Sequence, residues 1–385
     1  PHNWYGAHRR ANTKTGLPAT KWIFLPWDQE IVYNRSSTFD RVNVSADNSP
    51  ARLYDKLRDW PEFRRMFGDR VQKHMFNGGA LTASNNTARL QALANRVNRA
   101  IVGESARWGD AREFTIGVNP GHGETFTRDD WWIPELNALY NDFFPNIMNQ
   151  RAISRLQGGT RPLFPTVRAP ELSRFGGSVP DGYDLSLANP NGAGAIYYTT
   201  DGADPRTYLT GSVAPTAVAG GGPVTISGPT LVRARVLSGG DWSALVETTF
   251  YPPQDLTRLS LTEIMYNPPA FGAIDGDELE FLELKNFGTN TIDLTGLTFS
   301  EGIDYTFPVG TLMAPGQIMV LARNATAFAA RYPGVSIDGL YTGRLANNGE
   351  TLRLSHALGT PVFAVNYDDR PPWPDDAGFL TPDAV

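Results

Sequence analysis

The chain has 385 residues, of which 41% are hydrophobic and 19% charged, and a formal net charge of −6, which fits two or three folded globular domains. The net acidity argues against nucleic acid as a partner, because a nucleic-acid-binding domain carries a basic patch. No apolar run approaches the roughly 20 residues of a membrane span, and the absence of cysteine excludes a disulfide framework and thiol chemistry.

The first element is an apolar run from Trp22 to Leu25, which predicts a buried strand ending at Pro26. Asp28 and Glu30 follow directly, and metal-dependent phosphoryl-transfer sites hold Mg²⁺ with carboxylates placed where a strand ends. The stretch from Pro26 to Glu30 resembles the Pro-Trp-Asp-x-Asp signature of the CotH family, the atypical spore-coat-type protein kinases. Glu30 stands where that family usually has Asp.

The resemblance implies that Asp28 is a metal ligand, with Glu30 as a second candidate. His2-Asn3-Trp4-Tyr5 resembles the end of the family's catalytic-loop region, which makes Asn3 a third candidate. Only 27 residues precede Asp28, too few for a nucleotide-binding lobe and a catalytic loop. We therefore expect residues 1–160 to be a fragment of a CotH-like kinase C-lobe, with ATP and Mg²⁺ or Mn²⁺ as cofactors only if the site is intact in the parent protein.

The next stretch, residues 49–160, is predicted to be helical. Ser49-Pro50 is a typical helix start, and Pro61 should separate two helices. Apolar residues at spacings of three and four predict a further helix near 85–103 and another over 130–156, broken at Pro145.

From residue 161 the pattern changes to short strands separated by glycine and proline clusters, with strands predicted over 195–200, 223–227, 230–237 and 244–250. Ala195 to Pro205 resembles the Tyr-Thr-x-Asp-Gly-x-x-Pro signature of chitobiase/β-hexosaminidase C-terminal-type domains, which implies an immunoglobulin-like accessory domain over 161–253. Asp201 and Asp204 are predicted to stabilise a turn, with calcium binding as the alternative.

Tyr251-Pro252-Pro253 predicts a stiff linker. In the segment after it, the strand over 278–284 alternates acidic and apolar residues, with Leu279, Phe281 and Leu284 predicted to face inward. The order of motifs over 259–380 resembles the bacterial lamin-tail domain, which implies an immunoglobulin-like sandwich over 254–385. The acids Asp275, Asp277, Glu278 and Glu280 are predicted to form a solvated face, with weak calcium binding as the alternative.

The sequence therefore predicts a multidomain α+β chain, in which a helical remnant of a kinase-like C-lobe precedes two immunoglobulin-like β-sandwiches. The resemblances imply a bacterial protein that is secreted or held at the cell surface. We expect a structural or binding module, catalytically incomplete as it stands, whose partners are cell-surface or extracellular proteins. Two alternatives stay open: a secreted CotH-like protein kinase, and a carbohydrate-binding accessory protein in which aromatics such as Trp242 and Trp373 stack on sugar rings.

Overall fold

The computed structural model describes residues 4–8, 10, 21–26, 42–43, 50–110, 125–371 and 373. At the N-terminus, β1 (Trp4–Ala7) and β2 (Ile23–Pro26) form an antiparallel hairpin in which Trp4 is opposite Pro26. The apolar run predicted as a buried strand is a strand, but its side chains are exposed, from Trp22 at 60% to Phe24 at 47%. The prediction of burial is wrong because, among the described residues, the hairpin joins no larger sheet.

The helical region begins at Pro50, as predicted. Pro61 is the first residue of a second helix, so it separates two helices as expected. Its helices are α1 (Pro50–Leu57), α2 (Pro61–Met75), α3 (Ala83–Trp108), α4 (Ile133–Ala138) and α5 (Ala152–Gln157). Two π-helical segments, Arg128–Trp132 and Leu139–Arg151, make 128–157 one continuous helix. The predicted break at Pro145 does not occur, because the wider π-type turn accommodates a ring that would clash with the carbonyl four residues earlier in an α-helix.

The first β-sandwich carries strands at all four predicted positions. Its strands are β3 (Glu171–Leu172), β4 (Gly177–Ser178), β5 (Tyr183–Leu185), β6 (Leu187–Ala188), β7 (Ala195–Thr199), β8 (Val218–Ala219), β9 (Val224–Ile226), β10 (Thr230–Ser238), β11 (Asp241–Trp242) and β12 (Val246–Tyr251). The main sheet has the order β4-β12-β10-β7-β8, with β11 paired to β10.

The central strand β10 has two faces with different roles. Val232, Ala234 and Val236 are fully buried in the core of the first sandwich. Because side chains alternate along a strand, Arg233 and Arg235 point to the opposite face. That face is the one covered by the helical region, since α2 packs near β12 and Ala244 joins the core of the helices.

The second β-sandwich has a four-stranded sheet in the order β13-β14-β19-β20 and a five-stranded sheet in the order β21-β17-β16-β22-β23, with β15 and β18 as a separate pair. Its elements are β13 (Leu259–Met265), β14 (Phe281–Asn286), β15 (Ile292–Asp293), β16 (Thr298–Glu301), β17 (Ile303–Thr306), β18 (Leu312–Met313), β19 (Ile318–Ala322), α6 (Ala325–Arg331), β20 (Gly339–Leu340), β21 (Thr342–Gly343), β22 (Glu350–Ser355) and β23 (Pro361–Tyr367).

Strand β14 is covered on both faces. Leu282 and Leu284 lie in the main core, while Phe281 packs with Phe328 of α6 on the outer face. Leu279, Phe281 and Leu284 are buried, as predicted. The helix α6 was not predicted, and it turns one side of an otherwise half-solvated sheet into a second, smaller core.

Candidate functional site

The three residues that the sequence nominated as metal ligands, Asn3, Asp28 and Glu30, lie outside the described residues. Their role, and with it the use of ATP and Mg²⁺ or Mn²⁺, stays a prediction. Within the described part of the chain, no group of three or more His, Asp or Glu side chains is placed to hold a metal ion.

A buried ionic network joins α2 to the first sandwich, and we call this contact the junction. Arg235 of β10 is 4% exposed and lies between Asp69 of α2 and Asp204. Its Nη1 and Nη2 donate to the two oxygens of Asp69 at 2.8 and 2.7 Å, and its Nε and Nη2 donate to those of Asp204 at 2.7 and 2.6 Å. Asp69 also accepts the backbone N–H of Leu245 at 2.8 Å, so one carboxylate binds both the strand and the loop beside it.

Arg235 and Asp204 each stabilise the charged form of the other. Burial opposes ionisation of Asp204, but the hydrogen bonds and charge of Arg235 outweigh it and hold the pKa of Asp204 below its ordinary value. For Arg235, burial acts against the charged form, while Asp204 and Asp69 raise its pKa overall. Asp204 and Arg235 therefore stay charged near neutral pH, and the guanidinium donates paired hydrogen bonds to two carboxylates.

A second ion pair at the junction is still more buried. Arg206 donates from Nη1 and Nη2 to the two oxygens of Glu62 at 2.9 and 2.5 Å, and the side chains are only 6% and 8% exposed. Close packing accompanies it: a Cβ on Gly68 of α2 would lie 3.0 Å from the carbonyl oxygen of Leu163. The junction is thus a specific contact with a buried ion pair, and sequence patterns could not reveal it because its partners on α2 and on the sandwich are 144 to 176 residues apart.

The two acids of the Asp-Gly motif form the turn predicted for them. Asp201 accepts the backbone N–H of Ala203, and Asp204 accepts that of Arg206, each at 2.9 Å. The N–H of Ala203 is the main reason that the pKa of Asp201 is lowered. Asp204 has the further role at Arg235, which the sequence analysis did not anticipate.

In the second sandwich, the predicted solvated acidic face is wrong for Glu280, which is fully buried. Its Oε2 accepts the backbone N–H of Leu345 at 2.9 Å and the hydroxyl of Tyr341 at 3.2 Å, while its Oε1 has no hydrogen-bond partner. Burial raises the pKa of Glu280 to about 7, although the N–H of Leu345 and the charge of Arg323 act in the other direction.

The neighbouring acids face arginines. Asp277 lies 2.9 Å from Arg344 and Glu278 lies 3.5 Å from Arg323, which also lies 3.7 Å from Glu280. Asp275 caps the short 3₁₀ turn by accepting the N–H of Asp277 at 3.1 Å. The alternation of acidic and apolar residues over 278–284 suggested one continuous strand. Residues Gly276–Leu279 instead form a 3₁₀ turn, so the alternation of inward and outward side chains starts only with β14.

The tryptophans nominated for sugar stacking are packed against the sandwiches. Trp242 is 2% exposed, and its Nε1 donates to the carbonyl of Gly211 at 2.7 Å. Trp373 packs against the core of the second sandwich. Trp242 is therefore unavailable as a stacking platform.

The two long sheet edges of the second sandwich are a different kind of candidate site. Each of β13 and β23 has seven residues and one paired neighbour within the described structure. Strand β13 carries Glu263 next to a register shift, a combination that discourages further pairing. Strand β23 has no charged residue, and Ala364 and Asn366 point outward from it.

Comparison with known proteins gives one family match. The family model described as the lamin tail domain matches residues 252–369, which include every strand of the second sandwich. A search of curated proteins finds no match. None of the helices in the described residues is both long and apolar enough to cross a membrane.

Among solved structures, the chain is similar to a DUF4876 family protein from Bacteroides thetaiotaomicron VPI-5482, with 12% identity and a TM-score of 0.15 over 34% of this chain and 45% of that chain. A likeness with that TM-score does not establish a shared fold. The resemblances to CotH kinases and to chitobiase-type domains stay predictions, whereas the lamin-tail prediction is confirmed: residues 252–369 form a lamin tail domain with an immunoglobulin-like fold.

Proposed function

We propose that this chain is an extracellular or cell-surface docking module, in which the lamin tail domain binds an extended segment of a partner protein along the edge of β23. The observation that supports the proposal is the edge itself. It offers a seven-residue strand with one described neighbour and no charged side chain, and its pairing is regular over 363–367 after an irregularity at Val362. An exposed edge of that length and composition is a template for strand addition.

The side chains of β23 fit this role. Val362, Phe363 and Val365 are half-buried, so the strand is anchored to its own sandwich. Its pairing with β22 extends from Glu350 opposite Tyr367 to Ser355 opposite Pro361. The ladder is regular from Tyr367 to Phe363, so this part of the edge is already ordered before a partner strand is added.

The rest of the chain is held by specific contacts. The junction joins the helical region to the first sandwich, and Gln254, directly after the linker, holds the start of the lamin tail domain by two hydrogen bonds with the backbone of Asp293, at 2.6 and 3.0 Å. An extracellular setting is what the resemblances described above imply. Glycan binding has less support, because Trp242 is buried.

The proposal is tested by recovering partners from the native cell envelope and mapping the contact by amide hydrogen exchange. Partner binding should slow exchange selectively over 361–367. The double variant Ala364→Lys and Asn366→Lys should weaken binding at least tenfold, because lysines on an edge block strand addition.

The matched control places the same two charges at Leu358 and Thr360, which are exposed in the turn before β23, and it should bind normally. Equal binding by both lysine variants, or protection that avoids 361–367, would overturn the proposal. Strong binding on a glycan array without any protein partner would favour the carbohydrate alternative instead.

A further inference from the structure

A cavity of about 230 Å³ opens at the junction, between α2, the segment 157–167 and residues 241–244. About half of its wall is apolar, and the apolar residues that keep accessible surface there include Pro61, Pro165 and Val167. Since a water molecule in the liquid takes about 30 Å³, the cavity has room for a ligand about the size of one amino acid.

Three arginines and two acids, Asp69 and Asp241, lie in the polar part of the wall. Arg64 and Arg65 of α2 both line the cavity, with Arg235 beside them. Arg235 is fully engaged by Asp69 and Asp204, as described above. Arg64 donates from Nη1 to the carbonyl oxygens of Arg58 and Asp59, at 2.7 and 3.3 Å.

Arg65 is different from its neighbours. Its Nε is buried and has no hydrogen-bond partner, which is also true of Arg206. Unlike those of Arg64, Arg206 and Arg235, however, its Nη atoms donate no hydrogen bond to a described residue. Burial and the charges of Arg206 and Arg235 make its charged form less favourable, and they lower its pKa. A buried, unpaired N–H costs free energy, so such a group requires an explanation.

The acids nearby do not satisfy it. Glu62 attracts Arg65 but is held bidentately by Arg206, and Asp69 is held by Arg235 and Leu245. Asp241 attracts Arg65 from the exposed rim without forming a hydrogen bond to it. In addition, α2 begins at Pro61 beside the cavity, and its N-cap residue Trp60 makes no side-chain capping hydrogen bond, so the positive end of the helix dipole is not offset there by a cap.

We propose that this cavity is a binding site for a carboxylate with an apolar body of the size of one amino acid, with Arg65 as the main charged donor and Arg64 as its support. The carboxylate would accept hydrogen bonds from the Arg65 guanidinium, while the apolar body would cover the wall formed by Pro61, Pro165 and Val167. The chemistry is shared by free small acids and by the C-terminal residue of a peptide. The site is independent of the β23 edge.

The experiment uses the full chain and isothermal titration calorimetry with three probes. N-acetyl-leucine should bind saturably, the neutral N-acetyl-leucinamide at least tenfold more weakly, and inorganic phosphate, which lacks the apolar body, more weakly still. Acetyl-Gly-Gly-Leu distinguishes the two sources: binding at least as tight as N-acetyl-leucine indicates a peptide C-terminus, and loss of binding indicates a free acid.

Variants test whether a loss of binding comes from the cavity or from a damaged fold. Arg65→Gln should weaken N-acetyl-leucine binding at least tenfold, the expected size for a charge-assisted hydrogen bond. Arg70→Gln removes the same charge from an exposed position of α2 outside the cavity lining and should leave binding unchanged. Asp241→Asn removes the competing rim acid and should strengthen binding.

Thr166→Trp fills the cavity from its exposed rim with every charge intact, and it should abolish binding even if Arg65→Gln proves unstable. The proposal is overturned if N-acetyl-leucine does not bind, if the acid and its amide bind equally, or if Thr166→Trp binds normally. Equal losses in Arg65→Gln and Arg70→Gln would show only a general electrostatic attraction, and this would also overturn it.

Discussion

Replacing Glu62 by Gln should destabilise the chain by about 3–4 kcal/mol, because it leaves a buried arginine without its counter-charge. Both side chains of the Glu62–Arg206 pair are less than 10% exposed, and two hydrogen bonds join them. Two unit charges 4 Å apart attract by about 4 kcal/mol at an effective dielectric constant of 20, which agrees with the mutational range. The Nε of Arg206 already lacks a partner, so the guanidinium has no alternative acceptor at hand.

Urea-induced unfolding at pH 7, followed by tryptophan fluorescence, measures the effect, since Trp242 is buried beside the junction. The double variant Glu62→Met with Arg206→Met should lie within about 1 kcal/mol of the parent, because apolar residues of similar volume replace a desolvated pair at little net cost. Glu171→Gln, which breaks an ion pair with side chains 65% and 62% exposed, should change stability by no more than about 0.5 kcal/mol. If Glu62→Gln costs less than about 1 kcal/mol, or if the double variant is as unstable as the single one, the Glu62–Arg206 pair is not desolvated and the reasoning is wrong.

Three further predictions concern other parts of the chain. Glu280 should make stability fall as pH rises from about 4.5 to 7, by about 3 kcal/mol in total, since its pKa is about 7 in the folded state and the unfolded chain releases the proton near 4.5. The measurement is the difference in unfolding free energy between the parent and Glu280→Gln from pH 5 to 8, which removes the opposite effect of His356, whose pKa burial lowers. A difference that does not change with pH would contradict the prediction. Incubation with ATP, Mg²⁺ or Mn²⁺ and acceptor proteins should transfer no phosphate, and labelled transfer that disappears in Asp28→Asn would revive the kinase alternative. Residues 255–385 expressed alone should unfold in one cooperative thermal transition, because the lamin tail domain encloses its own core; a molten, protease-sensitive product would refute this.

Local patterns in the sequence were sufficient for two helix starts, for four strands of the first sandwich and for the resemblance to the lamin tail domain. Pro61 marked a helix start, and the apolar runs of the first sandwich marked β7, β9, β10 and β12. These features depend on residues close together in the chain, where periodicity and turn chemistry act directly. The end of α3 was harder to predict than its position, because the last turns of a helix fray. The helix extends to Trp108, five residues past the predicted end.

The charged centres required three-dimensional information. Asp69 and Arg235 are 166 residues apart, and each by itself reads as an ordinary surface charge. Glu280 looked like part of an exposed acidic face, yet the 3₁₀ turn and the cover provided by Tyr341 and Leu345 place it inside. Burial of a charge is decided by what packs over it, and a sequence pattern within one strand does not contain that information.

The position of β12 has a mechanical consequence. The strand lies between β10, which is antiparallel to it, and β4, which is parallel, and it leads directly into the proline linker before the lamin tail domain. A pulling force transmitted through that linker would act along the strand, across ladder hydrogen bonds that point sideways. Those bonds would have to rupture together rather than one after another, so the first sandwich is built to resist tension in the direction in which its neighbour is tethered.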